Sequence, residues 1–202
     1  KSDQRKLFEK TSVKISILLP YKENYSKDYA GAVSIFINGL NNKSKFKRSI
    51  KVFGNTNYSN ILSKNYINIP FQKKLFYSSS KLYLKNFIEL EKKRKSDIIE
   101  IHNRPHYLKF FSNLKDRKYV FYFHNDPLKM IGSTNVRDRI GMLNFCHKII
   151  FNSEWTKKRF FKDIDKFYIN SEKIEIIYQT TKSKKIDLKK KNKIITFVGR
   201  LN

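Results

Sequence analysis

The sequence predicts an α/β fold built on a doubly wound, mostly parallel sheet. Short runs of β-branched and aromatic residues recur along the chain, and longer amphipathic stretches lie between several of them. Strands that alternate with helices are joined by right-handed crossovers, which place helices on both faces of a parallel sheet. Ligands of such sheets bind beyond the carboxyl ends of the strands. The residues that follow each strand are therefore the candidate site residues.

The first strand is predicted over residues 13–19, where the run VKISILL is typical of a strand that is buried on both faces of a parallel sheet. Six more runs have the same character and predict the remaining strands: 50–53, 66–69, 98–101, 119–123, 148–151 and 174–178.

Helical periodicity predicts four helices between these strands. Val33, Phe36, Ile37 and Leu40 fall at i, i+3, i+4 and i+7, which indicates a helix with one apolar face. Further helices are expected over 80–94, over 133–144 and after a capping Ser153. Their expected inward residues are Leu84, Phe87, Ile88, Val136, Ile140 and Leu143, and the segment after Ser153 carries Trp155 and Phe160.

Changes in composition divide the chain. Residues 1–12 are polar, which predicts an N-terminal extension and is not typical of a signal peptide. Residues 13–181 are predicted to form one domain. Residues 182–193 hold seven Lys among twelve residues and predict a basic linker. Residues 194–202, IITFVGRLN, predict the first strand of a second domain. No apolar run approaches the roughly 20 residues that cross a bilayer.

The charge of the chain is strongly positive, with 44 Lys and Arg against 17 Asp and Glu, or +27. Three explanations stay open: attraction to an anionic membrane surface, binding of nucleic acid, and a bias in residue usage. Basic residues occur in nearly every segment, which counts against nucleic acid. The single cysteine, Cys146, excludes an internal disulfide framework and a cysteine-only zinc site, and we expect it in the core.

Three segments at predicted strand ends are candidate sites. Gly31 lies between Ala30 and Ala32 before the first helix, where it either admits a ligand to the helix N-terminus or lets the helix and strand pack closely. Two polar clusters, each closed by a proline, follow the strands at 98–101 and 119–123; their residues are His102, Asn103, Arg104, His106, His124, Asn125 and Asp126.

The ordered set of segments resembles the retaining GT-B glycosyltransferases of family four over essentially the whole chain. The similar segments are KISILLP, Gly31-Ala32, DIIEIHNRP, YVFYFHND, KIIFNSEWTKKRF, KIEIIYQT and ITFVGRLN. The resemblance implies that residues 13–181 form the Rossmann-like, acceptor-side half of such an enzyme. In the position of the family's Asn-Gly turn the chain has Gln179-Thr180-Thr181, which leaves the end of this domain open.

The resemblance also implies residue roles. Gly31 and Ala32 would approach the donor diphosphate, Arg200 would neutralise it from the second domain, and His124 would be the catalytic-site histidine beside the transferred sugar. The acceptor-side residues would be His102, Asn103, Arg104, Asn125 and Asp126. The donor would be a nucleotide-diphosphate sugar, with no metal and no other cofactor, and the acceptor a glycan or lipid-linked molecule.

The resemblance implies hexosyl transfer in envelope polysaccharide or lipopolysaccharide synthesis. We expect a cytoplasmic protein, with contact to the anionic inner face of the plasma membrane, and a fragment that is inactive without its second domain. Two other functions stay open. One is an RNA-binding α/β module without catalysis. The other is a metal-dependent phosphohydrolase built on His102, His106, His124 and Asp126.

Overall fold

Seven strands form one parallel sheet in the computed structural model, which describes residues 13–70, 78–114 and 116–179. The strands are β1 (Ile15–Leu18), β2 (Ile50–Gly54), β3 (Tyr66–Asn68), β4 (Ile98–His102), β5 (Lys118–Phe123), β6 (Lys148–Phe151) and β7 (Ile174–Ile176). Their order is β3-β2-β1-β4-β5-β6-β7, and each of these pairings is parallel. The predicted α/β fold is confirmed, and the pairing between these strands is parallel throughout.

Helices cover both faces of this sheet because successive side chains of a strand point to opposite faces, and in the inner strands most of them are apolar. On one face, Ile17 and Leu19 pack with Val33 and Ile37 of α1 (Ala32–Lys43). On the other face, Leu18 belongs to the larger core. That core also receives α2 (Ser79–Arg94), α3 (Val136–Phe145) and α4 (Glu154–Phe160). The doubly wound arrangement follows from this division.

Helix starts are set by capping side chains. Ser153 caps α4 as expected, since its hydroxyl accepts a hydrogen bond from the amide of Thr156 at 3.2 Å. The start expected at Ser133 is wrong. Asn135 caps α3 instead, accepting from the amide of Asp138 at 2.7 Å. The Ser133 hydroxyl is buried and donates to the carbonyl of Pro127 at 2.6 Å, so it serves the preceding turn.

Leu40, which was expected on the apolar face of its helix, is exposed, and so is Trp155, for which the sequence predicted no face. Leu40, near the end of α1, is 44% exposed, and Trp155, in the first turn of α4, is 58% exposed. The other expected inward residues of the helices are buried or pack against the core, and Cys146 is buried as expected. Helical periodicity thus identifies the packed faces of these helices and, in α1, overestimates how far the packed face extends.

The carboxyl ends of the strands meet at one edge of the sheet. The loop after β1 leads to Gly31, β4 ends at His102, and His124 follows β5 directly. The strand order reverses between β1 and β4, because β2 continues the sheet on one side of β1 and β4 on the other. A reversal of this kind opens a crevice at the carboxyl edge. The fold therefore places all three candidate segments around one crevice.

Several expectations fall outside the described residues: the extension at 1–12, the linker at 182–193, the strand at 194–202 and Arg200. The expected domain end at 181 lies outside as well. Within 13–70, 78–114 and 116–179, no helix combines the length and apolar character that crossing a membrane requires.

Candidate functional site

His124 is held by contacts on three sides. Its backbone amide donates to Oδ1 of Asn103 at 2.8 Å, and its carbonyl accepts from Nδ2 of Asn152 at 2.8 Å. Its ring stacks on Tyr122, with ring centroids 4.4 Å apart and planes 15° apart. Phe36 of α1 approaches the same ring edge to face, with centroids 5.2 Å apart. The imidazole therefore has one defined position at the end of β5.

A second histidine and a glutamate extend this arrangement beneath His124. Nδ1 of His102 lies 2.8 Å from Nε2 of His124, and Nε2 of His102 lies 2.7 Å from Oε1 of Glu100. Glu100 and His102 share one face of β4 because side chains alternate along a strand. His102 pairs in register with Tyr122 of β5, whose ring stacks near both histidines. The three groups form a continuous hydrogen-bonded series.

Burial lowers the pKa of His124 to about 3, with a smaller contribution from the neighbouring His102. Burial is the larger cause, since it removes water from the charged form. His124 is therefore neutral at pH 7. Its Nδ1 atom lies 2.7 Å from Nε2 of Gln179, an exposed residue that follows β7. The outer nitrogen of the imidazole thus faces the surface side of the crevice.

The N-terminus of α1 forms the other part of the site. Gly31 is the N-cap residue, with φ −72° and ψ 162°, and its side chain is absent where Glu23 approaches. A Cβ atom at position 31 would collide with the Glu23 carboxylate. Oε1 of Glu23 accepts from the amide of Ser34 at 3.1 Å, so the chain's own carboxylate lies where helix N–H groups attract anions. Ala32, the first helical residue, is exposed.

Phe36 connects the two parts of the site. It lies five residues beyond Gly31 on the same helix and touches the ring of His124. At a rise of about 1.5 Å per residue, Gly31 lies roughly 7.5 Å further along the helix axis. The start of α1 and the imidazole of His124 are thus connected through the Phe36 ring.

The residues expected on the acceptor side have different surroundings. His102 is fully buried, so it can affect a ligand only through His124. Asn103 is 6% exposed and adopts a left-handed conformation, φ 52°, which asparagine tolerates better than most residues. Arg104 is partly buried and donates to the carbonyl of Asn103 at 2.8 Å. Asn125 is exposed at the rim of the crevice.

Asp126 is engaged in structure. Its two carboxylate oxygens accept from Nε and Nη2 of Arg159 at 3.2 and 3.0 Å, and one of them also accepts from the amide of Leu128. The hydrogen bond from Arg159 is the main reason that the pKa of Asp126 is below its usual value. The carboxylate ties the loop after β5 to α4.

The structure does not support the metal-site hypothesis. His106 contacts Tyr107, with ring centroids 4.8 Å apart, and Asp126 is paired with Arg159. The hydrogen-bonded nitrogens of His102 and His124 face each other directly at 2.8 Å. Within the described ranges, no group of three or more His, Cys, Asp or Glu side chains is arranged to hold a metal ion. The four residues of that hypothesis do not converge.

Four residues near the site were missed from the sequence: Glu23, Glu100, Asn152 and Gln179. Only Glu100 gives a clear signal, because a carboxylate two residues before His102 interrupts an otherwise apolar strand and must share its face. Glu23, Asn152 and Gln179 lie in loops or beyond strand ends, where the sequence gives no periodicity that would orient them.

Two surface grooves lie away from these residues. One, of about 570 Å³, is lined by Trp155, Lys158, Arg159, Phe161 and Lys162 of the α4 region. The other, of about 270 Å³, lies where Pro105 and Leu108 face Gly141 and Met142 of α3. Neither groove includes Gly31 or His124, so the carboxyl edge of the sheet remains the candidate site on the strength of its polar groups.

No protein-family model matches the sequence, and no curated protein matches it. Solved structures with a similar fold include Anabaena Alr3699/HepE in complex with UDP and glucose, with a TM-score of 0.55 and 15% identity. That alignment covers 84% of this chain and 45% of that chain. The structure of Anabaena Alr3699/HepE in complex with UDP aligns with a TM-score of 0.51 and 16% identity, covering 84% of this chain and 44% of that chain.

A third structure, of UDP-N-acetylglucosamine 2-epimerase, aligns with a TM-score of 0.47 and 11% identity, covering 81% of this chain and 47% of that chain. The chain thus spans less than half the length of these three solved structures. The first two similarities show that this chain has the fold of part of a protein that binds UDP and glucose in the crystal.

Proposed function

We propose that this chain forms the acceptor-side half of a GT-B glycosyltransferase that uses a nucleotide-diphosphate sugar as donor. The observation that carries the proposal is the contact between Phe36 and His124, which links a helix N-terminus to a neutral histidine across one crevice. A donor of this class has an anionic and an uncharged part, and the crevice offers a matching group to each. The similarity in fold to a protein crystallised with UDP and glucose supports a UDP-sugar as the first donor to test.

The chemistry of the donor fits the start of α1 and the imidazole of His124. Cleavage of the bond between the sugar and the diphosphate builds negative charge on the leaving phosphate. Helix N–H groups and the helix dipole stabilise such charge, so Gly31 and Ala32 at the start of α1 would bind the diphosphate. Because Glu23 occupies that helix N-terminus here, its flexible carboxylate must move aside when the diphosphate binds. Arg200 would add a cation from the second domain.

The sugar would lie against His124. A neutral imidazole can form a hydrogen bond with a sugar hydroxyl group, and it carries no positive charge that would attract the diphosphate. Asn125 at the exposed rim would contact the acceptor, and Arg104 would reach it from beside Asn103. The proposal includes transfer of a hexosyl group with retention of configuration to a glycan or lipid-linked acceptor. It also includes envelope polysaccharide synthesis at the cytoplasmic face of an anionic membrane, to which the +27 charge would be attracted.

The test is transfer by the full-length protein. Incubation with UDP-glucose and other nucleotide sugars should release the nucleotide diphosphate, and proton NMR of the product should show the anomeric configuration of the donor. His124→Ala should lower kcat/KM by about 100-fold, which corresponds to about 2.7 kcal/mol of transition-state stabilisation. Lys158→Ala, at the separate α4 groove, serves as the matched control and should change kcat/KM by less than about 2-fold. Equal losses in both variants would contradict the assignment of the site.

A further inference from the structure

Glu100, His102 and His124 form a series in which each group determines the proton position of the next. An ionised carboxylate only accepts hydrogen bonds, so the 2.7 Å contact to Glu100 requires the proton of His102 to be on Nε2. A neutral imidazole has one N–H, which makes Nδ1 of His102 an acceptor. The 2.8 Å contact from Nδ1 to His124 then requires the proton of His124 to be on Nε2.

The same rule determines the outer atom of the series. His124 is neutral because its pKa is lowered to about 3, so it carries one proton, and that proton is engaged by His102. Nδ1 of His124 is left with a lone pair. Nε2 of Gln179 lies 2.7 Å from this atom and donates to it as an amide N–H group can. Each hydrogen bond in the series thus has one donor and one acceptor.

We propose that Glu100, acting through His102, holds His124 in the tautomer whose Nδ1 lone pair accepts a hydrogen bond from a hydroxyl group of the bound sugar. Glu100 and His102 are positioning residues, and this role rests on the proposed function. Gln179 is exposed, and its amide occupies the place that the sugar hydroxyl takes in the complex.

The proton position on His124 determines which end of the donor binds to this residue. An atom that only accepts hydrogen bonds attracts a hydroxyl group and repels phosphate oxygens, which also only accept at neutral pH. The opposite tautomer would present an N–H group, which binds hydroxyl and phosphate oxygens alike. By fixing the first tautomer, Glu100 directs the sugar to His124 and leaves the diphosphate to the start of α1.

The burial of His102 strengthens its control over the tautomer of His124. Its side chain is fully buried and stacks on Tyr122, with ring centroids 5.5 Å apart. Water therefore cannot replace either hydrogen bond of its ring. If His102 took the other tautomer, its Nδ1–H group would face the Nε2–H group of His124. A mismatch of this kind inside a protein costs more than the loss of an exposed hydrogen bond.

The tautomers can be read directly from the full-length protein labelled with ¹⁵N-histidine. Two-bond ¹H–¹⁵N correlation spectra at pH 7 should show both His102 and His124 protonated on Nε2, with the signals assigned from single substitutions. A His124 ring protonated on Nδ1, or a His102 ring protonated on both nitrogens, would overturn the proposal. This readout needs no donor.

Two substitutions at position 102 separate polarity from packing. His102→Asn keeps an oxygen close to the former Nδ1, so His124 should stay protonated on Nε2 and kcat/KM should fall by less than about 10-fold. His102→Phe keeps the ring stacked on Tyr122 and removes the acceptor. It should shift His124 toward the Nδ1 tautomer and lower kcat/KM by about 100-fold. Equal effects of the two variants, with unchanged His124 spectra, would show a structural role only.

Substitutions of two separate glutamates, Glu100 and Glu175, distinguish an effect of position from an effect of charge. Glu100→Gln should leave His102 as a mixture of tautomers and lower kcat/KM about 10-fold. Glu175→Gln removes the same charge from exposed β7 and should leave both spectra and rate unchanged. His102→Phe should also weaken UDP-sugar binding about 10-fold with no change in UDP binding. Equal weakening for both ligands would refute the contact with the sugar.

The proposed function and this inference fail in different ways. A wild-type protein that transfers sugar but holds His124 protonated on Nδ1 refutes the inference alone. A wild-type protein with the expected tautomers that binds no nucleotide sugar refutes the proposed function and the sugar contact with it.

Discussion

The ring of Phe36 meets the ring of His124 edge to face, with centroids 5.2 Å apart. This contact joins the second turn of α1 to the end of β5, two elements on opposite sides of the point where the strand order reverses. It also limits how far the start of α1 can move from the imidazole. The geometry of the crevice therefore depends on a pair of aromatic rings as well as on the polar groups that we propose bind the donor.

Replacement of Phe36 tests this contact. Phe36→Ala removes a partly buried ring and should lower the free energy of unfolding by about 2 kcal/mol. It should also lower kcat/KM of the full-length protein, because His124 loses one of its supports. Leu40→Ala on the same helix is the control, since Leu40 is 44% exposed and should cost less than about 0.5 kcal/mol. Urea unfolding curves measure both effects, and a cost for Leu40→Ala equal to that of Phe36→Ala would contradict the packing described.

The pKa of His124 gives the protein a dependence on pH. The pKa of His124 in the folded state is lowered from 6.5 to about 3. Between these two pH values the His124 imidazole is protonated in the unfolded chain and neutral in the folded protein. Stability from this group is complete above pH 6.5 and is lost as the pH falls toward 3, by about 1.4 kcal/mol for each pH unit. His124→Asn, which does not titrate, should lose about 2 kcal/mol less than wild type between pH 7 and pH 5.

The measurement for this prediction is the free energy of unfolding in urea at both pH values. Asp126 and His106 also have lowered pKa values, and both remain in the variant, so their contributions cancel in the comparison. Identical losses in the two proteins would show that His124 titrates normally in the folded state.

Glu23 should compete with a bound diphosphate. Its carboxylate accepts from the amide of Ser34 at the start of α1, so Glu23→Gln should tighten UDP binding by the full-length protein about 5-fold by removing the negative charge there. Asp28→Asn is the control, because Asp28 is an exposed carboxylate of the same loop and its loss raises the net charge equally. Isothermal titration measures both constants. The same change in both variants would mean that overall charge is responsible.

Gly31 should control access to the helix N-terminus. Its φ of −72° suits any residue, so Gly31→Val should leave the fold intact while its side chain meets the Glu23 carboxylate and fills the place of the diphosphate. UDP affinity should fall at least about 10-fold. Gly39→Ala is the control: a Cβ there meets nothing within 4 Å, and Ala should stabilise the helix by about 1 kcal/mol. Unchanged affinity in Gly31→Val would remove Gly31 from the site.

The pattern of apolar runs was enough to predict the seven strands. The inner runs could be assigned because a strand buried on both faces must be apolar at nearly every position, as in KYVFYF of β5. Helix starts were less secure. Ser133 and Asn135 are both good capping residues, and only the hydrogen bond from Ser133 to Pro127 decides that the helix starts at the second.

The candidate site was predicted in part. The sequence placed Gly31 in the loop between the first strand and the first helix and His124 at a strand end, and parallel pairing brings strand ends to one edge. It did not reveal that His102 is fully buried, since the residue follows an apolar run and precedes a polar loop and fits either setting. Nor did it reveal Gln179, whose contact with His124 joins residues 55 positions apart.

The sequence by itself determined the α/β class, the strands and the edge of the sheet that carries the polar residues, because hydrophobic periodicity and strand endings are local properties of the chain. Only the tertiary structure decided which polar groups face one another. The register of β4 against β5 sets Glu100, His102 and His124 in one series, and the packing of Phe36 brings the start of α1 to it. Proton positions and pKa values depend on such distances between distant segments, and no local pattern encodes them.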